Sequence, residues 1–507
     1  MVASEFISQG FQLPLPLMIL LFGGLIAPII GLLKERVKIP RIQEAWMVLV
    51  AVADLASVYL LYQEVKALPG EVLVMVLWGQ SPPLGGCFEI DMLSVFMCGS
   101  IAVLGLLVAV YSVSYMERES RLTEFYTLVT FMMAGMTGIA LAGDFFTLFI
   151  FWELMGLSSY VLVAFLKRSW GPIEAGFKYL AMSAAAGAFL LMSMAVLYGM
   201  TGTLNFALIA ASLRVETVTP WMMLLFSCMI IGFGVKSAIV PLHTWLPDAH
   251  PEAPSPISAL LSGIVIETGL YGLTRVLYLT FDPGFFQLPV AVLAVLTMSL
   301  ANVLALLQTD IKRMLAYSSI AQIGYMLVGL SAGTVIGMQG LFLHVFNHSL
   351  MKGLAFLASG SLVHVAHTRD IDELKGVGRA MPLTYLALFV ALLGLGGVPS
   401  TSGFVSKFIL FNSAIGVGLW WLALLGVLNS AFSMAYYLRV MKNLVAEPSD
   451  RIKGLKEAPL PMIAVTLTMA LLIVLFGVWP QATADFAMKA AEALVVNIDT
   501  YVSAILG

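Results

Sequence analysis

Seven titratable side chains stand inside strongly apolar stretches of this chain: Glu153, Lys236, Glu267, His344, His348, Lys352 and Lys407. A charge at membrane depth costs roughly 2.5 kcal/mol or more, so it is normally kept beside water, a partner charge or a moving ion. His344, His348 and Lys352 recur every four residues, which on one helix makes a stripe covering about 12 Å of rise. Histidine has distinct donor and acceptor nitrogens, so such a stripe suits proton hopping. Lys236 stands just before a proline break at Pro241, and Lys407 just after the glycine- and proline-rich run GLGGVPSTSG at 394–403. Proton transfer through a membrane is the chemistry these types and spacings favour.

Each residue also has a plainer reading. Glu153, in FFTLFIFWELMGLSSYVLV, is either a proton-exchanging carboxyl or a structural acid with a fixed partner. With Glu153 or Glu267 beside it, Lys236 is a switch whose proton affinity answers to a neighbour's movement, or half of a static salt bridge. Lys407 is weighed in the same way. Histidines in membranes are often only hydrogen-bonded. His243 and His250, in HTWLPDAHPEAPSP, form an access path or merely cap that connection. Asp144 reads as an interfacial cap, and His364 and His367 as loop residues. No tight His and carboxylate cluster suggests zinc.

The elements that position these groups follow from hydropathy. The chain has 507 residues, 60% of them hydrophobic and 11% charged. Its apolar windows approach the roughly 20 residues that a helix needs to cross a bilayer. Open sheet edges are excluded in lipid, so the expected fold class is an all-α polytopic membrane protein. Spans are predicted near 13–33, 45–63, 91–115, 123–142, 145–166, 176–200 and 220–241, then 256–279, 287–307, 314–332, 337–362, 382–414, 419–441 and 460–479. That makes about fourteen. Gln481 to Val502 reads as a short surface helix, and the first apolar segment as a retained span rather than a leader.

Basic residues favour one side of this topology: Lys34, Arg36, Lys38, Arg41, Arg118, Arg121, Lys167, Arg168, Lys312 and Arg313, then Arg369, Lys375, Arg379, Arg439, Lys442, Arg451, Lys453 and Lys456. The other side holds Lys66, Arg214, Arg275 and Lys489. Both termini are therefore expected outside the cytoplasm. Lys178, Lys236, Lys352 and Lys407 remain within or at the edge of spans. Interrupted seventh and twelfth spans in two halves suggest internal repeats with a site near mid-membrane. The expected division is residues 1–122, a five-helix unit at 123–279, a second at 287–441, and a final span with the surface helix at 442–507.

Three scattered cysteines, Cys87, Cys98 and Cys228, give neither a disulfide framework nor an iron-sulfur or zinc motif. GLGGVPSTSG lacks the strand and helix context of a phosphate loop. No cofactor and no metal is expected on this chain, so redox chemistry and driving energy must come from a gradient or a partner. No nucleic-acid partner is expected.

Five stretches together resemble one family: FWELMGLSSY around Glu153, GVKSAIVPLHTWLPDAHPEAPSPISALLSG around Lys236, DIKRMLAYSSIAQIGY from Asp310, HVFNHSLMKGLAFLASG from His344, and GVPSTSGFVSKF around Lys407. They are similar to the antiporter-like ion-translocating subunits shared by respiratory complex I, energy-converting membrane-bound hydrogenases and Mrp-type cation/proton antiporters. The resemblance implies fourteen helices in paired inverted repeats and a polar axis through Glu153, Lys236, the eighth span, the His344 to Lys352 stripe and Lys407, with His243 beside it. It implies a proton-translocating subunit in a prokaryotic membrane, partnered by other membrane subunits and indirectly by a redox module. The alternatives are a subunit of a Na⁺/H⁺ antiporter of the Mrp type and a non-conducting scaffold. The family commonly has a lysine or histidine where this chain has Glu267. An acid there could pair with Lys236, carry a proton, or help coordinate Na⁺.

Overall fold

The computed structural model describes all residues except 1–6, 9–12, 38–39, 78–81, 83–84, 168, 214–218, 450–451, 498, 501 and 504–507. Lys38, Arg168, Arg214 and Arg451, which entered the orientation argument, lie outside the described residues. After a short strand β1 (Ile7–Ser8) come α1 (Leu15–Val37) and α2 (Ile42–Ala67), then β2 (Leu73–Val76) and β3 (Cys87–Ile90). β1 runs parallel to β2, and β2 pairs antiparallel with β3, with Val74 opposite Glu89. These strands cap one face of the helices. We call it the hairpin face and the opposite one the basic face.

Asp91 caps the next helix, α3 (Met92–Tyr115), accepting from the Ser94 N–H at 2.8 Å. The chain continues through α4 (Leu122–Leu141), α5 (Phe145–Val163), α6 (Trp170–Thr201), a short α7 (Phe206–Leu213) and α8 (Pro220–Lys236). Asp144 caps α5, accepting from the Thr147 N–H at 2.7 Å. After a break come α9 (Leu246–Glu252) and α10 (Ser255–Leu260), which passes through a π-turn at Leu261–Val265 into α11 (Ile266–Thr280). Single π-turns inside α-helices often mark functional positions. This one ends two residues before Glu267.

The second half comprises α12 (Pro283–Leu306), α13 (Ile311–Ala332), α14 (Val335–Ala366), a short α15 (Val377–Ala380), α16 (Pro382–Gly396), α17 (Ser402–Gly416), α18 (Trp420–Leu444), α19 (Leu460–Val478) and α20 (Gln481–Val495). The chain is an all-α polytopic membrane protein: among the described residues, twelve segments are long and apolar enough to cross a bilayer. Two further apolar helices, α8 and α16, fall short because each stops at a break. The spans predicted from 176 and to 362 are longer than expected, since α6 and α14 each run 32 residues. At 1.5 Å per residue both exceed a bilayer core of about 30 Å. α20 stops at Val495, packing on α3 and α14, with Phe486 edge-on to Phe96 at 5.2 Å.

Burial separates the central helices from the lipid-facing ones. The α10 to α11 segment is buried on every side, and α13 and α14 nearly so, whereas α1, α12 and α19 expose Leu, Val, Ile and Phe side chains along one face. A helix hydrophobic all round belongs in the middle of a membrane protein, and any polar group it carries needs an internal partner. The candidate residues on α11 and α14 therefore lie in the buried interior, away from the exposed helix faces.

Candidate functional site

Two helix breaks build the site. In the first, residues 237–245 leave the helix after Lys236 and include a cis Val240–Pro241 peptide bond and Ala238 at φ 53°. In the second, residues 397–401 separate α16 from α17, with Gly397 at φ 77° and Ser400 at φ 71°. A left-handed conformation at a residue with a Cβ costs of order 1–3 kcal/mol and persists only where the surroundings enforce it. Each break also frees backbone carbonyls that helical bonding would have used. The Trp245 indole N–H donates to the freed Val235 carbonyl at 2.6 Å. The Leu395 carbonyl accepts from Lys407 Nζ at 2.7 Å and from the Gln322 amide at 3.1 Å.

Lys236 ends in a box of aromatic rings. Its ammonium donates to the Tyr179 hydroxyl at 3.2 Å and the Tyr160 hydroxyl at 3.5 Å, and lies 4.8 to 5.6 Å from the ring centres of Tyr179, Tyr160 and Trp152. Such faces attract a cation without neutralising it. Tyr179 in turn stacks on Trp245 at 3.8 Å, so the break and the lysine share one rigid wall. No carboxylate lies within 4.0 Å of Lys236 among the described residues, and the expected direct pairing with Glu153 is absent. Glu153 is half-buried on α5, close enough for its charge to reach Lys236, with its carboxylate against Gly187 of α6. A Cβ at Gly187 would stand 3.3 Å from Oε1, so the glycine makes room for the acid.

Glu267 does not meet Lys236 either. Its Oε1 bonds the Nδ1 of His348, while its Oε2 has no protein partner, and both residues are fully buried. This contact ties α11 to α14 and thus one half of the chain to the other. Four residues along α14, the His344 ring lies 6.1 Å from that of His348. His344 Nδ1 meets Ser406 Oγ at 2.8 Å and its Nε2 meets Gln322 Oε1 at 3.1 Å. One turn the other way, Lys352 Nζ donates to Ser318 Oγ at 2.7 Å, and Ser318 bonds the Tyr437 hydroxyl. Lys407 donates to Ser430 Oγ at 3.0 Å as well as to Leu395, and lies 4.4 Å from the centre of the Tyr325 ring.

His344, His348 and Lys352 share α14 but bond to different partners, and the Nε2 of His348 has no protein partner. Gln322 joins His344 to the carbonyl that Lys407 holds, and Ser406 sits one residue before Lys407. Sequence reading missed these neutral linkers, Ser318, Gln322, Ser406, Ser430 and the tyrosines 160, 179, 325 and 437. The one available signal was polar residues recurring within DIKRMLAYSSIAQIGY. His243 stays apart, in the first break, with Nδ1 unpartnered and its ring 6.5 Å from Tyr317. His250 is fully buried on α9, its ring stacked 4.7 Å from Phe356 and both nitrogens without protein partners. It is therefore no surface cap.

Lys312 departs from the loop position expected of it: it is 3% exposed and donates to the Ala253 carbonyl at 2.6 Å, near enough for its charge to act on His250. Lys178 goes the other way, lying on the surface between Glu174 at 2.8 Å and Asp248 at 3.1 Å. Arg275, assigned to a loop, is buried and paired with Asp91 at 2.9 Å. His364 closes the last turn of α14 beside Tyr115, and His367 is its left-handed C-cap. No group of three or more His, Cys, Asp or Glu residues suited to a metal ion occurs among the described residues.

Known proteins share this architecture. Residues 142–433 match the family described as NADH:quinone oxidoreductase/Mrp antiporter, transmembrane, and residues 84–126 match the N-terminal segment of complex I chain 5. Subunit N of the F(420)H(2) dehydrogenase from Methanosarcina mazei is 35% identical over 419 residues, 80% of this chain and 85% of that protein. Subunit N of the NADH-quinone oxidoreductase from Moorella thermoacetica is 31% identical over 91% of this chain and 95% of its own. Among solved structures, a chain of the archaeal membrane-bound sulfane sulfur reductase superposes with a TM-score of 0.87 at 28% identity, covering 97% of this chain and 99% of its own. A chain of the Mrp complex from Dietzia sp. gives 0.88 at 25% identity, covering 98% and 100%. The breaks, the buried lysines and the histidine stripe thus sit within a matched segment, and the chain belongs to the NADH:quinone oxidoreductase/Mrp antiporter family of membrane subunits.

Proposed function

We propose that the chain is a proton-translocating, antiporter-like subunit of a complex I-like oxidoreductase or energy-converting hydrogenase, working beside other membrane subunits and driven by a redox module. One observation carries the reading. Lys236, Lys352 and Lys407 are buried, yet their hydrogen-bond partners are hydroxyls and backbone carbonyls rather than carboxylates. A fixed ion pair would hold each charge in place, whereas neutral partners leave the proton free to move when a neighbouring charge changes.

In this reading Glu153, near Lys236 but unbonded to it, is the acid whose charge sets the state of Lys236. Glu267 and His348 link the halves, and protons pass by His344, His348 and Lys352 through Ser318, Gln322 and Ser406 to Lys407, with water bridging the remaining gaps. His243, in the first break, belongs to an access path. The two five-helix units, 123–279 and 287–441, are read as inverted repeats around this line. The basic face is read as cytoplasmic and the membrane as the inner membrane of a prokaryote. Relatives include both redox complexes and an Mrp complex, so Na⁺ exchange is the competing reading, and Glu267 is where it would enter.

The test is ion flux in vesicles holding the whole assembled complex. Lys236→Ala is expected to assemble and to lose coupled proton movement. An assembled variant that pumps as wild type does would overturn the assignment. Varying Na⁺ with a protonophore present separates the ions: flux that survives the protonophore and follows Na⁺ supports sodium exchange.

A further inference from the structure

A second polar column descends into the protein from the hairpin face, away from the lysine line. At its mouth, Glu89 of β3 is fully buried, its Oε1 accepting from the Asn205 amide at 2.6 Å and from the Cys87 thiol at 3.5 Å, while its Oε2 has no partner. Asp144 receives the Cys87 N–H at 2.9 Å beside it. One turn inward, Asp91 binds Arg275 at 2.9 Å and the Ser94 hydroxyl at 3.0 Å. The Tyr271 hydroxyl, one turn along α11 from Arg275, donates to the Ala140 carbonyl at 2.7 Å and lies near Ser94, within electrostatic reach of Asp91, Arg275 and the Cys98 thiol.

Asp91, Ser94 and Cys98 share a face of α3, since they fall at i, i+3 and i+7. At the inner end stands Asp54, near the middle of α2. It is fully buried, both carboxyl oxygens lack any hydrogen-bond partner, and the Cys98 thiol is within electrostatic reach. Apart from that thiol, no charged or titratable side chain among the described residues acts on it.

An unpartnered carboxylate in this setting is prohibitively costly, so the group stands as the neutral acid, carrying a proton that no neighbour fixes. Buried acids without partners are rare in membrane spans and point to function by default. Between Asp54 and the hairpin face lie the thiol of Cys98, the hydroxyl of Tyr271 and the carboxyl groups of Asp91 and Glu89, each within electrostatic reach of a neighbour in the column. Burial raises the Glu89 carboxyl to about 8 against the opposing pull of Asn205 and Arg275, so the mouth of the column also holds a proton near neutral pH.

We propose that Asp54 is a proton-binding site, separate from the lysine line, that exchanges its proton with the hairpin face through Cys98, Tyr271 and the Asp91–Arg275–Glu89 cluster. It buffers or senses protons on that side of the membrane. It does not depend on the route assigned to Lys236 and Lys407.

The experiment uses the intact complex in oriented vesicles, with infrared detection of protonated carboxyl bands and mass-spectrometric mapping of dicyclohexylcarbodiimide, which modifies protonated acids in apolar surroundings. Asp54→Asn is isosteric and neutral, so the fold should survive it. The expected result is a carboxyl band at neutral pH that disappears in Asp54→Asn, carbodiimide adduct on Asp54, and deuterium exchange of that band from the hairpin face, slowed several-fold in Tyr271→Phe. Absence of the band in wild type would mean an ionised Asp54 and overturn the proposal. So would a band that never exchanges, or one that exchanges equally fast in Tyr271→Phe, because either result describes a merely structural acid.

Discussion

Lys236 and Lys407 flank helix breaks in opposite halves of the chain, yet the protein holds them by different chemistry. Lys236 precedes its break and ends among three aromatic rings and two phenol hydroxyls, with a half-buried acid nearby. Lys407 follows its break and ends on the carbonyl that the break itself frees and that Gln322 also bonds, with Ser430 as its second acceptor and a single aromatic ring, Tyr325, beside it. The reversed order explains the difference. A lysine placed before a break points away from the carbonyls it liberates, so Val235 takes the Trp245 indole and the Ala238 backbone N–H, whereas a lysine placed after one can reach back to Leu395. In the proposed function, the first site would feel a charge arriving from outside and the second would pass a proton along bonded neighbours.

Removing either ammonium is the harshest test of that contrast. In Lys407→Ala the Leu395 carbonyl keeps Gln322 and Ser430 keeps the Gly396 carbonyl, so the fold should hold. In Lys236→Ala, Tyr179 keeps Ser159. Both variants should assemble and lose coupled proton flux at least about tenfold, equivalent to ~1.4 kcal/mol or more on the barrier. Charge-preserving arginine should partly rescue position 236, where ring faces accept a guanidinium, and fail at 407, where the planar fork does not fit a site shaped for a point donor. Equal behaviour of the two arginine variants would erase the distinction.

Glu267→Gln comes next, because it strikes the buried side-chain bond between α11 and α14. The amide still bonds His348 but no longer titrates. Flux should fall about threefold to tenfold, or ~0.6–1.4 kcal/mol on the barrier. Unchanged flux would make the acid a structural clamp. Selective loss of Na⁺-dependent flux would instead assign it to sodium.

A smaller loss is expected in Gln322→Leu, which severs His344 from the Leu395 carbonyl and leaves Nε2 unpaired. The unsatisfied nitrogen should lower thermal stability by ~1–3 kcal/mol, and flux should slow about threefold while Lys407 keeps its other bonds. Wild-type flux in a folded variant would place the route elsewhere than Gln322.

The legibility of the sequence divides along the same lines. Helical spans, the two breaks and the charged residues were readable because apolar length, proline and glycine, and the cost of a buried charge act locally in the chain. The partners were not. That Glu267 meets His348 across 81 positions, or that Lys312 folds in beside His250, depends on how helices face one another, which hydropathy does not encode. Serines and tyrosines such as Ser318 and Tyr437 are unremarkable in composition and become linkers only through packing. Asp54 escaped notice because a single acid in an otherwise apolar span is discounted in a window average, although its burial proves complete.

The mildest change probes the aromatic box alone. Tyr179→Phe removes one hydroxyl from Lys236 but keeps the ring, and with it the 3.8 Å stack on Trp245 and the cation facing the ring. A hydrogen bond of this kind is worth ~0.5–1.5 kcal/mol net, and Tyr160 remains as a second partner. If the first site works by holding an ammonium among ring faces while a distant acid changes its charge, the variant should lose less than about threefold in flux, with stability nearly intact. If instead Lys236 hands its proton to the phenol, the loss should match that of Lys236→Ala. The two lysines would then share one mechanism, proton passage through bonded neighbours, despite their different surroundings.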